Sequence, residues 1–133
     1  MITAVDTSVL IAIAKGEPSA VRWVEVLEEC RAAGDLVISE VVAAELFALL
    51  ADQAKFEALL AGLGLVFVPT TMPAAQRAGL TFRQYRRAGG SREHLVPDFL
   101  IAAHAQCQAD RIAAIDRGYL RRYFRGLKIV RPA

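Results

Sequence analysis

Short apolar runs that stop at a polar residue or glycine alternate along this chain with longer segments whose apolar positions recur every three or four residues. The first kind reads as buried strand, the second as helix packed on one face. Residues 2–5 form such a run and stop at Asp6, and residues 9–14 continue as an apolar helix that Thr7 or Ser8 can cap. Gly16 ends that helix, Pro18 suits the first turn of the next, and Val21, Val24 and Leu27 line one face as far as Ala33. After a Gly34-Asp35 turn, residues 36–38 make a second strand and Ser39 an N-cap. A helix over 41–50 follows, apolar nearly all round except at Glu45, and then a helix over 55–60. Strand three spans 65–68 and closes at Pro69, and a long helix opens at Pro73 and runs to Arg87. Gly89-Gly90-Ser91 breaks it, 91–96 is a loop, and Pro97 opens a helix over 98–109. A fourth strand over 111–115 ends at Asp116, a basic and aromatic helical turn covers 117–124, and 127–130 is a last strand before Pro132. This alternation predicts an α/β fold, a parallel sheet covered on both faces.

Composition narrows the class. A chain of 133 residues, 55% apolar and 23% charged, is expected to form a single domain over 1–133 whose core needs neither disulfides nor a structural metal. The longest apolar stretch, 58–68, has 11 residues and two glycines, short of the roughly 18 that a membrane span requires, so no membrane association is expected. The first 14 residues have no basic n-region and carry Asp6 within their apolar run, which argues against a signal peptide and for the cytoplasm. Cys30 and Cys107 have no metal-ligand or redox spacing and read as buried free thiols. The net charge of +2 hides an asymmetry: residues 1–76 hold four Lys/Arg against ten Asp/Glu, and residues 77–133 hold twelve against four. A basic half fits a protein that meets phosphate backbones, and equally a solvated arginine face.

The informative feature is the position of four acids. Asp6, Glu45, Asp98 and Asp116 each stand inside an apolar segment, whereas the other acids lie mostly in polar or turn-like stretches. Burial of a lone carboxylate costs several kcal/mol unless a cation or hydrogen-bond donors meet it, so either four separate partners exist or the four acids share one. Asp6 and Asp116 follow strands one and four, Asp98 opens a helix, and Glu45 lies within reach from the helix after strand two. These positions face the rim where open parallel sheets bind ligands. Four carboxylates without Cys or a strand-end His form a hard-oxygen site suited to Mg²⁺ or Mn²⁺, the kind that activates water and steadies a phosphodiester. Taken singly, Asp6 and Asp116 can be strand-end caps, Asp98 a charge on a helix dipole and Glu45 half of an ion pair. A haloacid-dehalogenase-like phosphatase needs a second Asp where Ser8 stands, a response-regulator receiver needs paired acids at Asp6, and neither GxGxxG nor a Walker loop is present.

The segments VDTSVLIAIA, SEVVAAEL, PDFLIAAHA and IDRGYLRRYFRGLKIV, in this order and spacing, resemble a PIN domain, in particular the VapC-type ribonuclease toxins of prokaryotic toxin–antitoxin pairs. The resemblance spans the whole chain. It implies an α/β/α sandwich with a five-stranded parallel sheet, a Mg²⁺- or Mn²⁺-dependent endoribonuclease, a homodimer and neutralisation by a cognate antitoxin protein. By this similarity Asp6, Glu45, Asp98 and Asp116 match the family's acidic metal-binding positions. Ala114 departs from the pattern, standing where the family usually has Thr or Ser.

Ser8 can hydrogen-bond a metal-site carboxylate or a phosphate, or serve as a helix cap. His94 reads as a solvated loop residue, His104 as a satisfied core histidine, and Trp23 and Phe47 as core or dimer contacts. Arg117, Arg121 and Arg122, interleaved with Tyr119, Tyr123 and Phe124, are candidate RNA contacts if they rim the acids. The residues and the resemblance together point to a metal-dependent endoribonuclease acting on cellular RNA, with a catalytically weak PIN-like module that binds RNA or a protein partner as the alternative.

Overall fold

The computed structural model describes residues 1–90, 95–115 and 118–133, except the side chains of Leu95 and Tyr119. Along these residues run β1 (Thr3–Val5), α1 (Thr7–Ala14), α2 (Ala20–Ala33), β2 (Leu36–Ile38), α3 (Glu40–Leu50) and α4 (Gln53–Leu63). They are followed by β3 (Leu65–Phe67), α5 (Met72–Arg87), α6 (Leu95–Gln108), β4 (Arg111–Ala113), α7 (Tyr119–Tyr123) and β5 (Ile129–Val130). The strands form one sheet in the order β3-β2-β1-β4-β5, every pair parallel.

Two directions of travel build the sandwich. The chain steps outward from β1 to β2 and β3, then crosses back to β4 on the far side of β1 and continues to β5. Right-handed crossovers in opposite directions put the two sets of helices on opposite faces of the sheet. The central strands are covered on both sides: every residue of β1 and β2 is buried, whereas edge strand β3 leaves Val66 and Phe67 exposed. Even Thr3 is fully buried, its hydroxyl accepting a hydrogen bond from Arg111 Nε at 2.8 Å. The core joins Val5, Val9, Leu10, Leu46 and Ile112 to an aromatic cluster in which Phe99 of α6 meets Phe82, Tyr85, Tyr123 and Phe124 at centroid distances of 5.4–5.8 Å. Strand order reverses between β1 and β4, and a crevice forms at their carboxyl ends.

Several expectations are corrected at element ends. Helix α1 starts at Thr7 and is capped by Asp6, not by Thr7 or Ser8: the Asp6 backbone is extended and its carboxylate accepts from Ser8 N–H at 3.2 Å. Ser39 caps α3 as expected. Helix α6 starts by Leu95, ahead of Pro97, because a proline in a first turn has no intrahelical acceptor to lose. Strand β4 ends at Ala113 and β5 begins only at Ile129, because ladder pairing requires a neighbour and the two strands align over Ile112 with Ile129 and Ala113 with Val130. Helix α3 buries only Val42 and Leu46 and exposes Phe47 and Leu49, so its nearly all-round apolar character is not all-round burial. Cys107 is exposed, unlike the buried Cys30. Trp23 and His104 are buried as expected.

Candidate functional site

Asp6 leaves β1 at the switch point with its carboxylate turned back over the first turn of α1. There it accepts from Ser8 N–H and from the Ser8 hydroxyl. The same Ser8 Oγ accepts from Ile115 N–H at 3.2 Å, so one hydroxyl ties the end of β1 to the chain leaving β4. Of the two readings of Ser8, the hydrogen bond to an acid of the site is the one found: the cap is Asp6, and Ser8 holds that capping carboxylate.

Glu45 arrives from α3, which packs against α1. Its Oε1 accepts from Thr7 Oγ1 at 2.7 Å. Thr7 is 6% exposed and was visible in the sequence only as a possible cap; its part here depends on α3 lying beside α1. Glu45 itself is exposed, contrary to the burial expected of it, and still lines the cleft. Asp98 sits half-buried in the first turn of α6, where the helix dipole favours a negative charge.

These three acids converge. Asp6, Glu45 and Asp98 line one cleft of about 200 Å³ together with Thr7, Ser8, Ile11 and Ile115. Among the described residues no basic side chain lines it. Asp116, Arg117 and His94 lie outside the described residues. Arg121 and Arg122 belong to α7 and do not line the acid cleft; Arg122 stacks on the Tyr123 ring at 5.4 Å and faces a different concavity. Among the described residues, then, no arginine of α7 rims the acids, and Arg122 faces α5 instead. Ala114 is buried beside this region, and the nearby hydroxyl is that of Ser8, bonded to the next residue.

The donor set fits a hard divalent cation in chemistry: carboxylates and hydroxyls, all oxygen. Among the described residues no three His, Cys, Asp or Glu stand close enough together to hold a metal ion between them. That is compatible with Mg²⁺, which keeps several of its waters and needs only one or two direct carboxylates.

A parallel α/β domain with an acid cleft at its switch point is the class that fold and site define. The chain matches the family model of the PIN domain over residues 3–124, and it belongs to that family. The structure is similar to VapBC2 from Rickettsia felis bound to a DNA fragment from the promoter (19% identity, 100% of both chains, TM-score 0.71). It is also similar to VapBC-1 from nontypeable Haemophilus influenzae (19% identity, 98% of this chain and 97% of that one, TM-score 0.68). FitAcB from Neisseria gonorrhoeae is a further match (24% identity, 99% and 98% covered, TM-score 0.65). No curated protein matches the chain in sequence. Among the described residues no helix is long and apolar enough to cross a membrane.

Proposed function

We propose that this chain is a divalent-metal-dependent endoribonuclease, the toxin of a toxin–antitoxin pair. Its reading as a toxin is supported by the fold it shares with proteins solved as VapBC complexes. In this reading it is a homodimer in the cytoplasm, acts on cellular RNA and is neutralised by a cognate antitoxin. The exposed Phe47 and Leu49 on α3 and Val66 and Phe67 on β3 offer apolar surface for such protein contacts.

One observation carries the catalytic part. Three carboxylates far apart in sequence are brought by β1, α3 and α6 to one cleft without a basic residue among its described lining. Carboxylates so gathered repel one another unless a cation is shared. Asp6, Glu45 and Asp98, with Asp116 as the fourth, would hold Mg²⁺ or Mn²⁺. The ion supplies charge stabilisation to the phosphodiester and lowers the pKa of an attacking water. The chain's own part is positional: Ser8 fixes the Asp6 carboxylate and Thr7 that of Glu45, so both face the cleft before substrate arrives.

The test is purified protein on structured RNA with Mg²⁺, Mn²⁺ or EDTA. Cleavage is expected with either metal and not in EDTA. Asp6→Asn, which keeps the helix cap because Asn caps as well as Asp, is expected to cut at least 100-fold more slowly while remaining folded. Binding without cleavage under all conditions would sink the nuclease and leave a binding module.

A further inference from the structure

A second concavity lies between α5, the carboxyl-terminal part of α6 and α7. It measures about 680 Å³, more than three times the acid cleft, and falls in the size range of ligand-binding clefts. Its charge is the opposite. Arg77 of α5, Arg122 of α7 and Arg125 just beyond α7 line it, and among the described residues no acid does. Gln84 and Gln106 add amide groups that can donate and accept, and Tyr123 adds an aromatic ring with the Arg122 guanidinium stacked on it.

The walls are tied to the acid cleft by rigid parts. Gln106 Nε2 donates to Arg125 O at 3.4 Å, joining α6 to the segment after α7. Tyr123 packs on Phe99, the immediate neighbour of Asp98, at 5.8 Å. Asp98 and Gln106 lie on the same helix, separated by about 12 Å along its axis at 1.5 Å per residue. A metal-seeking cleft and a phosphate-seeking cleft are therefore held at a set distance by one helix and one aromatic stack.

We infer that the Arg77–Arg122–Arg125 cleft anchors single-stranded RNA, gripping phosphates of the substrate away from the bond that is cut. This rests on the nuclease reading for what happens at the acids, but not for the binding itself. Guanidiniums pair bidentately with phosphate oxygens, and the amides suit the edges of unpaired bases. A concavity lined by guanidiniums and amides suits a single strand, whose base edges are unpaired, whereas in a duplex those edges are already paired.

The experiment measures binding apart from cleavage. A fluorescently labelled single-stranded RNA oligomer is titrated in EDTA at several salt concentrations, with wild type, Arg77→Ala/Arg125→Ala and Arg77→Lys/Arg125→Lys. Both arginines are exposed, so the variants should melt with the wild type. The alanine pair is expected to bind at least 10-fold more weakly, with the salt slope reduced by about 1.4 for two lost single-strand phosphate contacts. The lysine pair should recover much of both. In Mg²⁺, the alanine pair should raise KM with little change in kcat. Unchanged affinity and slope would overturn the inference even if the protein cleaves RNA. Arginine-dependent binding without any cleavage would uphold it and overturn the nuclease. Duplex DNA or an acidic peptide bound as tightly, with the same arginine dependence, would overturn the assignment to single-stranded RNA.

Discussion

His104 lies 1% exposed on α6 with Nε2 2.8 Å from the carbonyl of Val68. Burial holds its imidazole below the ordinary value, against the Val68 hydrogen bond and the Glu40 carboxylate, both of which pull the other way. At Glu40 burial raises the carboxyl, but hydrogen bonds from the Thr70 hydroxyl and N–H and from its own N–H, with the field of His104, bring it below the usual carboxylate range. The signs follow by linkage. Because folded His104 takes up its proton at lower pH than the unfolded chain, stability is intact above about pH 6.5 and falls as the pH drops from there toward the folded value. Glu40 contributes above its unfolded value near 4.5 and loses that contribution as the pH falls through its lower folded value. His104→Leu is expected to destabilise by about 1–3 kcal/mol at pH 7.5, since Val68 O loses its donor. Its melting temperature should then fall less than that of the wild type between pH 7.5 and 5.5; parallel losses would remove His104 from the acid response. A lone histidine on an apolar helix could be read as a satisfied core residue from sequence, but its acceptor could not, because Val68 belongs to a distant segment.

Among the elements, local chemistry decides the ends and neighbours decide the faces. Ser39, Asp52 and Thr71 each accept a backbone N–H in the first turn of α3, α4 and α5, the small polar side chain that helix starts favour. Glycines show the other side. Gly34 joins α2 to β2 at φ +157°, and a Cβ there would stand 1.9 Å from the Met1 carbonyl oxygen. Gly79, inside α5, has nothing within 4 Å of such an atom. Gly34→Ala is thus expected to destabilise by about 1–3 kcal/mol, and Gly79→Ala to stabilise by about 0.5–1 kcal/mol through helix propensity. Denaturant melts of both variants check the pair; equal shifts of one sign would mean that the Met1 contact has no force. Helix α3 marks the limit of such reasoning, since its apolar sequence does not say that Phe47 and Leu49 remain uncovered.

At the scale of the molecule, the acid cleft couples stability to metal. If Asp6, Glu45 and Asp98 share a site, Mn²⁺ should raise the wild-type melting temperature by binding linkage, worth about 2.7 kcal/mol at 100-fold excess over Kd. Asp6→Asn retains the cap and removes one of the mutually repelling charges. In EDTA it is expected to be as stable as wild type or up to about 1 kcal/mol more so, and to gain less from Mn²⁺. The same melts on Asp116→Asn test whether that residue joins the cleft. A mutant markedly less stable in EDTA, with the full metal-induced shift, would show that the acid serves only the fold.

The sequence by itself determined the alternation of elements, the parallel α/β class, the Ser39 cap of α3 and three acids, Asp6, Glu45 and Asp98, that meet in one cleft. Each of these depends on residues close along the chain: periodicity, caps, and the end of an apolar run. Only the tertiary structure decided that Thr7 holds Glu45, that Ser8 links Asp6 to the chain beyond β4, and that Arg122 turns to a cleft of its own rather than to the acids. The resemblance to PIN domains named the acids but not these partners. Strand order brings β1 beside β4, and crossovers lay α3 against α1 and α7 near α5. Such placements are set by which surfaces cover one another, and that is a property of the packed sheet, not of any one segment.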